Sequence, residues 1–125
     1  MSNTETQERI RRKTIFLDID GTLVIHKKNL CRMITEQLEV IYGVHEKFLE
    51  WRAKDYYIVL TTARPEGVRS SLERQLSEAG IFYDQLVMGL PVGPRVLVND
   101  KKPDGTITAY AYPIERDLGI SGVEV

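Results

Sequence analysis

Two short segments of the chain are apolar or aromatic on both faces and therefore suit only the interior of a sheet. They are residues 14–17 (TIFL) and 56–60 (YYIVL). Strands of a parallel sheet are covered on both sides, so they show continuous apolar runs instead of alternation. The two segments predict central strands of a parallel sheet. Weaker runs predict three further strands, at residues 82–87, 95–98 and 107–112.

Helical patterns lie between these strands. Val44, Phe48 and Trp51 recur at i, i+4 and i+7, which predicts a helix that runs to about residue 54. Residues 64–80 predict a second helix, because Pro65 stands in its first turn and Gly80 follows its last. The segment at residues 29–41 fits either a short helix or one arm of a hairpin.

Strands that alternate with helices at this spacing predict an α/β fold. We expect a Rossmann-like three-layer sandwich, with a central parallel sheet and helices on both faces. The length of 125 residues fits one domain, at residues 13–125, preceded by a flexible polar tail at residues 1–12. In such folds ligands bind outside the carboxyl ends of the strands, so the residues after each apolar run are the candidate site.

Composition narrows the class of protein. The formal net charge is −1, which leaves no general basic field and argues against nucleic acid as a partner. The polar N-terminus and the lack of an apolar run of roughly 18 residues predict a cytoplasmic protein that is not in a membrane. Cys31 is the only cysteine, and we expect it to be a small buried hydrophobic residue. Whether the protein forms a homo-oligomer stays open.

Acids, hydroxyls and amides, together with one glycine and one arginine, follow three of the predicted strands. They are Asp18, Asp20 and Gly21 after the first strand, Thr61, Thr62 and Arg64 after the second, and Asn99 and Asp100 after the fourth. Carboxylates gathered at one sheet edge would repel each other strongly. A divalent cation would relieve that repulsion, and a ligand set made of oxygen atoms suits Mg²⁺.

Three motifs resemble those of the haloacid dehalogenase (HAD) superfamily. "DIDGTLV" resembles its first motif, "IVLTTAR" its second and "VLVND" its fourth, in the family's order and each after a predicted strand. The motifs frame nearly the whole chain from about residue 14. The intervals between them hold only elements that the core needs. The resemblance therefore implies a small member without a substantial cap domain, whose open site suits a large or polymer-bound phosphate ester. The expected partner is a phosphorylated small-molecule or polymer-bound substrate.

The resemblance implies a mechanism for the first motif. Asp18 would be the nucleophile and would form an aspartyl-phosphate. Asp20 would protonate the leaving oxygen and then act as the base on water. Their i, i+2 spacing brings both to one site only if the backbone leaves strand geometry, and Gly21 would allow that turn.

The other motifs would supply the metal and the phosphate contacts. Mg²⁺ would be held by Asp18, by the Asp20 carbonyl and by the Asn99/Asp100 pair. Thr62, with Thr61 as the alternative, would bind a phosphoryl oxygen. Arg64 would be either a phosphate contact or a solvated residue.

Two positions depart from the family's pattern. Asn99 stands where many members have an acid, so Asp100 could take the direct role at the metal. Leu90, in "GLP", stands where relatives often carry the lysine of the third motif. We assign the role of that cation, which orients the nucleophile and neutralises phosphate, to Arg95.

The sequence thus predicts a Mg²⁺-dependent phosphomonoester hydrolase acting on a sugar phosphate or another phosphorylated metabolite. The alternative is a non-catalytic phospho-ligand-binding or regulatory module with a decayed site. A receiver-type phosphoacceptor domain fits less well, because Thr61 and Thr62 stand where an acid would be expected. His26, Lys27 and Lys28 follow the first motif on a flap that either meets substrate or is solvated.

Overall fold

The computed structural model of the protein describes residues 12–125. The predicted flexible tail therefore lies outside the described residues, except for Arg12. The regular elements, in chain order, are β1 (Thr14–Asp18), α1 (Leu30–Thr35), α2 (Val44–Ala53), β2 (Tyr57–Thr61), a 3₁₀ turn (Glu66–Val68), α3 (Arg69–Glu78) and β3 (Gln85–Val87).

The three strands form one parallel sheet in the order β1-β2-β3. Asp18 lies opposite Thr61, and Thr61 lies opposite Val87, so all three strands end at the same edge. The inner residues of the central strand β2 are buried, as its continuous apolar run predicts. The predicted α/β class and the parallel sheet are confirmed.

The hydrophobic core lies between the sheet and the two longer helices. Phe48 and Trp51 of α2 are buried with their ring centroids 5.7 Å apart. Leu72 and Leu76 of α3 are fully buried as well. The apolar faces predicted for both helices are thus the faces that pack in the core. Ile120, near the C-terminus, joins the same cluster.

The second predicted helix begins later than the sequence indicates. Pro65 adopts an extended conformation, with φ −68° and ψ 151°, and only the 3₁₀ turn follows it before α3 starts at Arg69. In the segment at residues 29–41 both alternatives are present. It contains the short helix α1, and its end at Val40 forms an antiparallel bridge with Val24.

The predicted fourth and fifth strands are wrong. Residues 95–98 and 107–112 carry no strand, and Val96 and Val98 are 85% and 89% exposed. The hydrogen bonds of this region are local, such as the one from the Lys102 N–H to the Thr106 carbonyl. The segment therefore pairs with its own residues and not with a strand of the sheet. The prediction that residues 14–17 form a central strand is therefore also wrong: β1 is an edge of the sheet, and Phe16 is 57% exposed.

Two smaller expectations also change. The third strand is shorter than predicted and begins at Gln85. Cys31 is exposed and not buried, because α1 has no residue in the core. Among residues 12–125, none of the helices combines the length and the apolar character needed to cross a membrane.

Candidate active site

Asp18 ends β1, and the chain leaves strand geometry directly after it. The Leu23 N–H donates to the Ile19 carbonyl at 2.9 Å, and the Gly21 N–H donates to the Val24 carbonyl at 2.7 Å. Gly21 has φ 86°, a left-handed conformation that a residue with a Cβ adopts only at a cost. This is the turn that the sequence predicts at Gly21. It buries Ile19, while Asp18 and Asp20 keep contact with solvent.

The charges around Asp18 act in opposing directions. Burial of its carboxyl group is the largest effect and raises the pKa of Asp18 above the ordinary value, although the residue keeps solvent contact. A hydrogen bond from the Ile19 N–H and the positive charges of Arg95 and His26 lower that pKa, whereas the nearby Asp20 raises it. Two acids and two basic side chains therefore influence one point at the sheet edge.

Asp20 is held by Arg64, which comes from the end of β2. The Nε of Arg64 donates to one carboxylate oxygen of Asp20 at 2.9 Å, and Nη2 donates to the other at 2.7 Å. Arg64 is only 4% exposed. Neither expected role of Arg64, a phosphate contact or a solvated residue, matches this arrangement, because its guanidinium is turned into the protein and is occupied by protein acceptors.

The two threonines after β2 have different surroundings. Thr61 is half-buried, and its Oγ1 donates to the Leu17 carbonyl of β1 at 3.2 Å. Thr62 is 2% exposed, and its Oγ1 accepts the N–H of Arg64 at 3.1 Å. Thr62 thus stabilises the turn that leads to Pro65, and Thr61 is the threonine that the register places beside Asp18.

Arg95 lies in the loop after β3 and not on a strand. Its Nη1 donates to the carbonyls of Pro91 and Gly93 at 2.9 and 2.8 Å. Those bonds hold the guanidinium where its charge favours the ionised form of Asp18. The predicted cation is therefore electrostatically coupled to the predicted nucleophile.

The predicted Mg²⁺ ligands do not come together as a set. Asn99 uses its amide nitrogen to donate to the carbonyl and the hydroxyl of Thr108, and the Asp100 carbonyl accepts from the same hydroxyl. Across residues 12–125, no group of three or more His, Cys, Asp or Glu side chains is placed to hold a metal ion. The ligand that the resemblance implies for Asp20 is its backbone carbonyl, since both side-chain oxygens of Asp20 accept from Arg64. The side chains of Asp18, Asp20 and Asp100 therefore do not form a three-carboxylate Mg²⁺ site in this arrangement.

The sequence analysis does not identify two residues that support the site. Gln75 is 4% exposed, and its Nε2 donates to the carbonyls of Met33 and Glu36, both at 2.8 Å. A polar side chain within the apolar stripe of α3 is the signal that could have revealed it. Asp117 accepts the N–H of His26 at 2.9 Å and donates its own N–H to the Gly21 carbonyl at 2.8 Å. No local pattern marks Asp117, because both partners are distant in sequence.

Comparison with known proteins gives distant structural similarity only. No family model and no curated protein matches the sequence. A crystal structure of D,D-heptose 1,7-bisphosphate phosphatase from B. bronchiseptica, complexed with magnesium and phosphate, shares 20% identity and a TM-score of 0.44 over 66% of this chain. This chain covers 51% of that protein, about half of its length. A crystal structure of a protein from Vibrio cholerae shares 19% identity and a TM-score of 0.49, over 76% of this chain and 77% of that one.

Proposed function

We propose that the protein is a HAD-type phosphomonoester hydrolase that works through an aspartyl-phosphate on Asp18, with a sugar phosphate or another phosphorylated metabolite as substrate. One observation carries the proposal. The register of the parallel strands sets Asp18 opposite Thr61, so the ends of the first and second motifs meet at one sheet edge. Ligands of parallel α/β sheets bind at that edge.

The reaction that this arrangement supports has two steps. First, a carboxylate oxygen of Asp18 attacks phosphorus, so an O–P bond forms and the ester P–O bond breaks. The leaving oxygen keeps the electron pair of that bond: an alkoxide takes a proton from the carboxylic acid form of Asp20, whereas a phenolate leaves as the anion. Second, water attacks the same phosphorus and passes a proton to Asp20. The bond between Asp18 and phosphorus breaks, which frees inorganic phosphate and restores the carboxylate.

The cationic side chains contribute to both steps. Arg95 and His26 favour the ionised form of Asp18, which is the form that attacks. The same positive charges would oppose the repulsion between an anionic nucleophile and an anionic phosphate. The register places Thr61 beside Asp18, and we assign its hydroxyl the contact with a phosphoryl oxygen, for which its O–H would turn from the Leu17 carbonyl to the phosphate.

The test is hydrolysis of p-nitrophenyl phosphate with and without Mg²⁺, since the resemblance to the superfamily implies that ion. We expect Asp18→Asn to lower kcat by at least about a thousand-fold, because an amide cannot attack phosphorus. Asp55→Asn is the matched control: Asp55 is exposed, has φ 58°, and lies on the turn before β2. Activity that survives in Asp18→Asn would overturn the assignment.

A second candidate function is a non-catalytic module that binds a phosphorylated ligand. The observation that favours it is the separation of Asp100 from the two acids of the first motif. Calorimetry with inorganic phosphate and a panel of sugar phosphates distinguishes the two functions. Binding without turnover across the panel supports the module, whereas turnover that depends on Asp18 supports the hydrolase.

A further inference from the structure

We propose that Arg64 is a positioning residue that fixes the carboxylate of Asp20 and, together with Gln75, clamps the flap onto the core. The flap is defined as residues 25–41, which follow the first motif. The inference rests on the proposed hydrolase for its kinetic part. Its structural part stands on the contacts alone.

The guanidinium of Arg64 joins three parts of the chain. Besides its two bonds to Asp20, its Nη1 donates to the Met33 carbonyl and to the Gln75 Oε1, both at 3.2 Å. A guanidinium has five N–H donors. Arg64 forms four hydrogen bonds with them, which engage Asp20, the flap and α3 at once. Such a buried, planar fork holds its acceptors in one geometry.

Gln75 completes the clamp from α3. Its amide nitrogen donates to Met33 and Glu36 of the flap, while its amide oxygen accepts from Arg64. These flap carbonyls lie at the end of α1, where a helix leaves its last carbonyls without partners. The side chain of Gln75 therefore satisfies the end of α1 and fixes where the flap lies.

The clamp has a consequence for Asp20. Each carboxylate oxygen has two lone-pair positions, and Arg64 uses one on each oxygen. The plane of the carboxyl group is thereby fixed, while one position on each oxygen stays free for a proton. Arg64 thus acts on the reaction through the orientation of Asp20 and not through contact with phosphate.

The kinetic test compares an alkyl phosphate, whose leaving oxygen needs a proton, with p-nitrophenyl phosphate, whose leaving group does not. We expect Asp20→Asn to lower kcat for the alkyl ester by about 100-fold and for the aryl ester by less than about 10-fold. Arg64→Lys keeps the charge but cannot form the fork, and we expect roughly a 10-fold loss of kcat for the alkyl ester alone, with KM within about two-fold.

A double-mutant cycle separates positioning from general damage. On the Asp20→Asn background, we expect Arg64→Lys to lower kcat by no more than about two-fold, because the residue through which it acts is already lost. Arg69→Lys is the matched control, since Arg69 forms a similar fork with Glu66 on the surface, at 2.8 and 3.0 Å. Equal losses for both esters, or losses that add to those of Asp20→Asn, would overturn the proposal.

Amide hydrogen exchange tests the clamp without any need for catalysis. In Arg64→Lys and in Gln75→Met, we expect the amides of Ile25 and Glu36 in the flap to exchange at least roughly 10-fold faster, while the Ile81 amide is unchanged. Flap exchange that stays at the wild-type rate in both variants overturns the clamp. If the wild-type protein hydrolyses no phosphate ester, the proposed function fails, and this measurement still decides the clamp.

Discussion

Arg64 and Asp20 form a two-pronged ion pair inside the protein, in which the side chain of Arg64 is 2% exposed and that of Asp20 is 11% exposed. The pair connects the turn after β1 with the turn after β2, which are 44 residues apart. It thereby joins the first and second motifs by a direct bond at the sheet edge.

Removal of one partner of this pair should lower the stability of the fold. Asp20→Ala leaves a buried guanidinium without its carboxylate, and we expect it to lower the free energy of unfolding by about 3–5 kcal/mol. Urea denaturation measures this loss. In Glu66→Ala, which breaks the exposed pair with Arg69, the loss should be at most about 1 kcal/mol. Equal losses in the two variants would show that the Asp20 pair is not buried in solution.

The turn after Asp18 should require glycine. Gly21 has φ 86°, and a Cβ there would lie 3.2 Å from the Arg116 Cγ, so we expect Gly21→Ala to cost about 1–2 kcal/mol in thermal or urea unfolding. Gly67 is the matched control, because nothing lies within 4 Å of a Cβ added there. Gly67→Ala should be neutral or stabilise by up to about 1 kcal/mol. A neutral Gly21→Ala would contradict the left-handed turn.

Residues 95–98 offer a test of the missing fourth strand. Val98 is 89% exposed and Val59 of β2 is 5% exposed. We expect Val59→Ala to lower the free energy of unfolding by about 2 kcal/mol, since it removes buried methyl groups and leaves a cavity. Val98→Ala should change the free energy of unfolding by less than about 0.5 kcal/mol. A loss at Val98 as large as the loss at Val59 would place residues 95–98 in the sheet, as their apolar run predicts.

The pH dependence of hydrolysis should report on Asp18. Its carboxyl must be ionised to attack, and burial raises its pKa, so kcat/KM should fall with decreasing pH at a higher pH than for an ordinary aspartate. Arg95 opposes that rise. We therefore expect Arg95→Gln to move the acid limb to still higher pH, in rate profiles measured from about pH 4 to 8. Arg74→Gln, which removes one exposed charge from α3, should leave the limb in place. No shift in Arg95→Gln would remove Arg95 from the site.

Much of the fold follows from local patterns. Residues 56–60 supply most of the buried central strand β2, as a run that is apolar on both faces predicts, whereas residues 14–17 form a strand at the edge of the sheet with Phe16 exposed. Val44, Phe48 and Trp51 share one helix face, and that face is buried. Gly21 is recognisable because two acids at i, i+2 can share a site only where the backbone turns. These features depend on residues that are close in sequence, so the sequence itself determines them.

Other features depend on partners that are distant in sequence. Residues 95–98 have the composition of a strand, but a strand exists only where a neighbouring edge pairs with it, and here the loop hydrogen bonds are local. No local sequence pattern indicates whether Arg64 faces solvent or the interior. It faces inward because Asp20, Met33 and Gln75 supply acceptors from three separate segments. Cys31 is exposed because α1 contributes nothing to the core. The sequence alone therefore determines which residues can form the site, whereas the tertiary structure decides which of them meet, since burial of a charge is tolerated only where acceptors from elsewhere in the chain surround it.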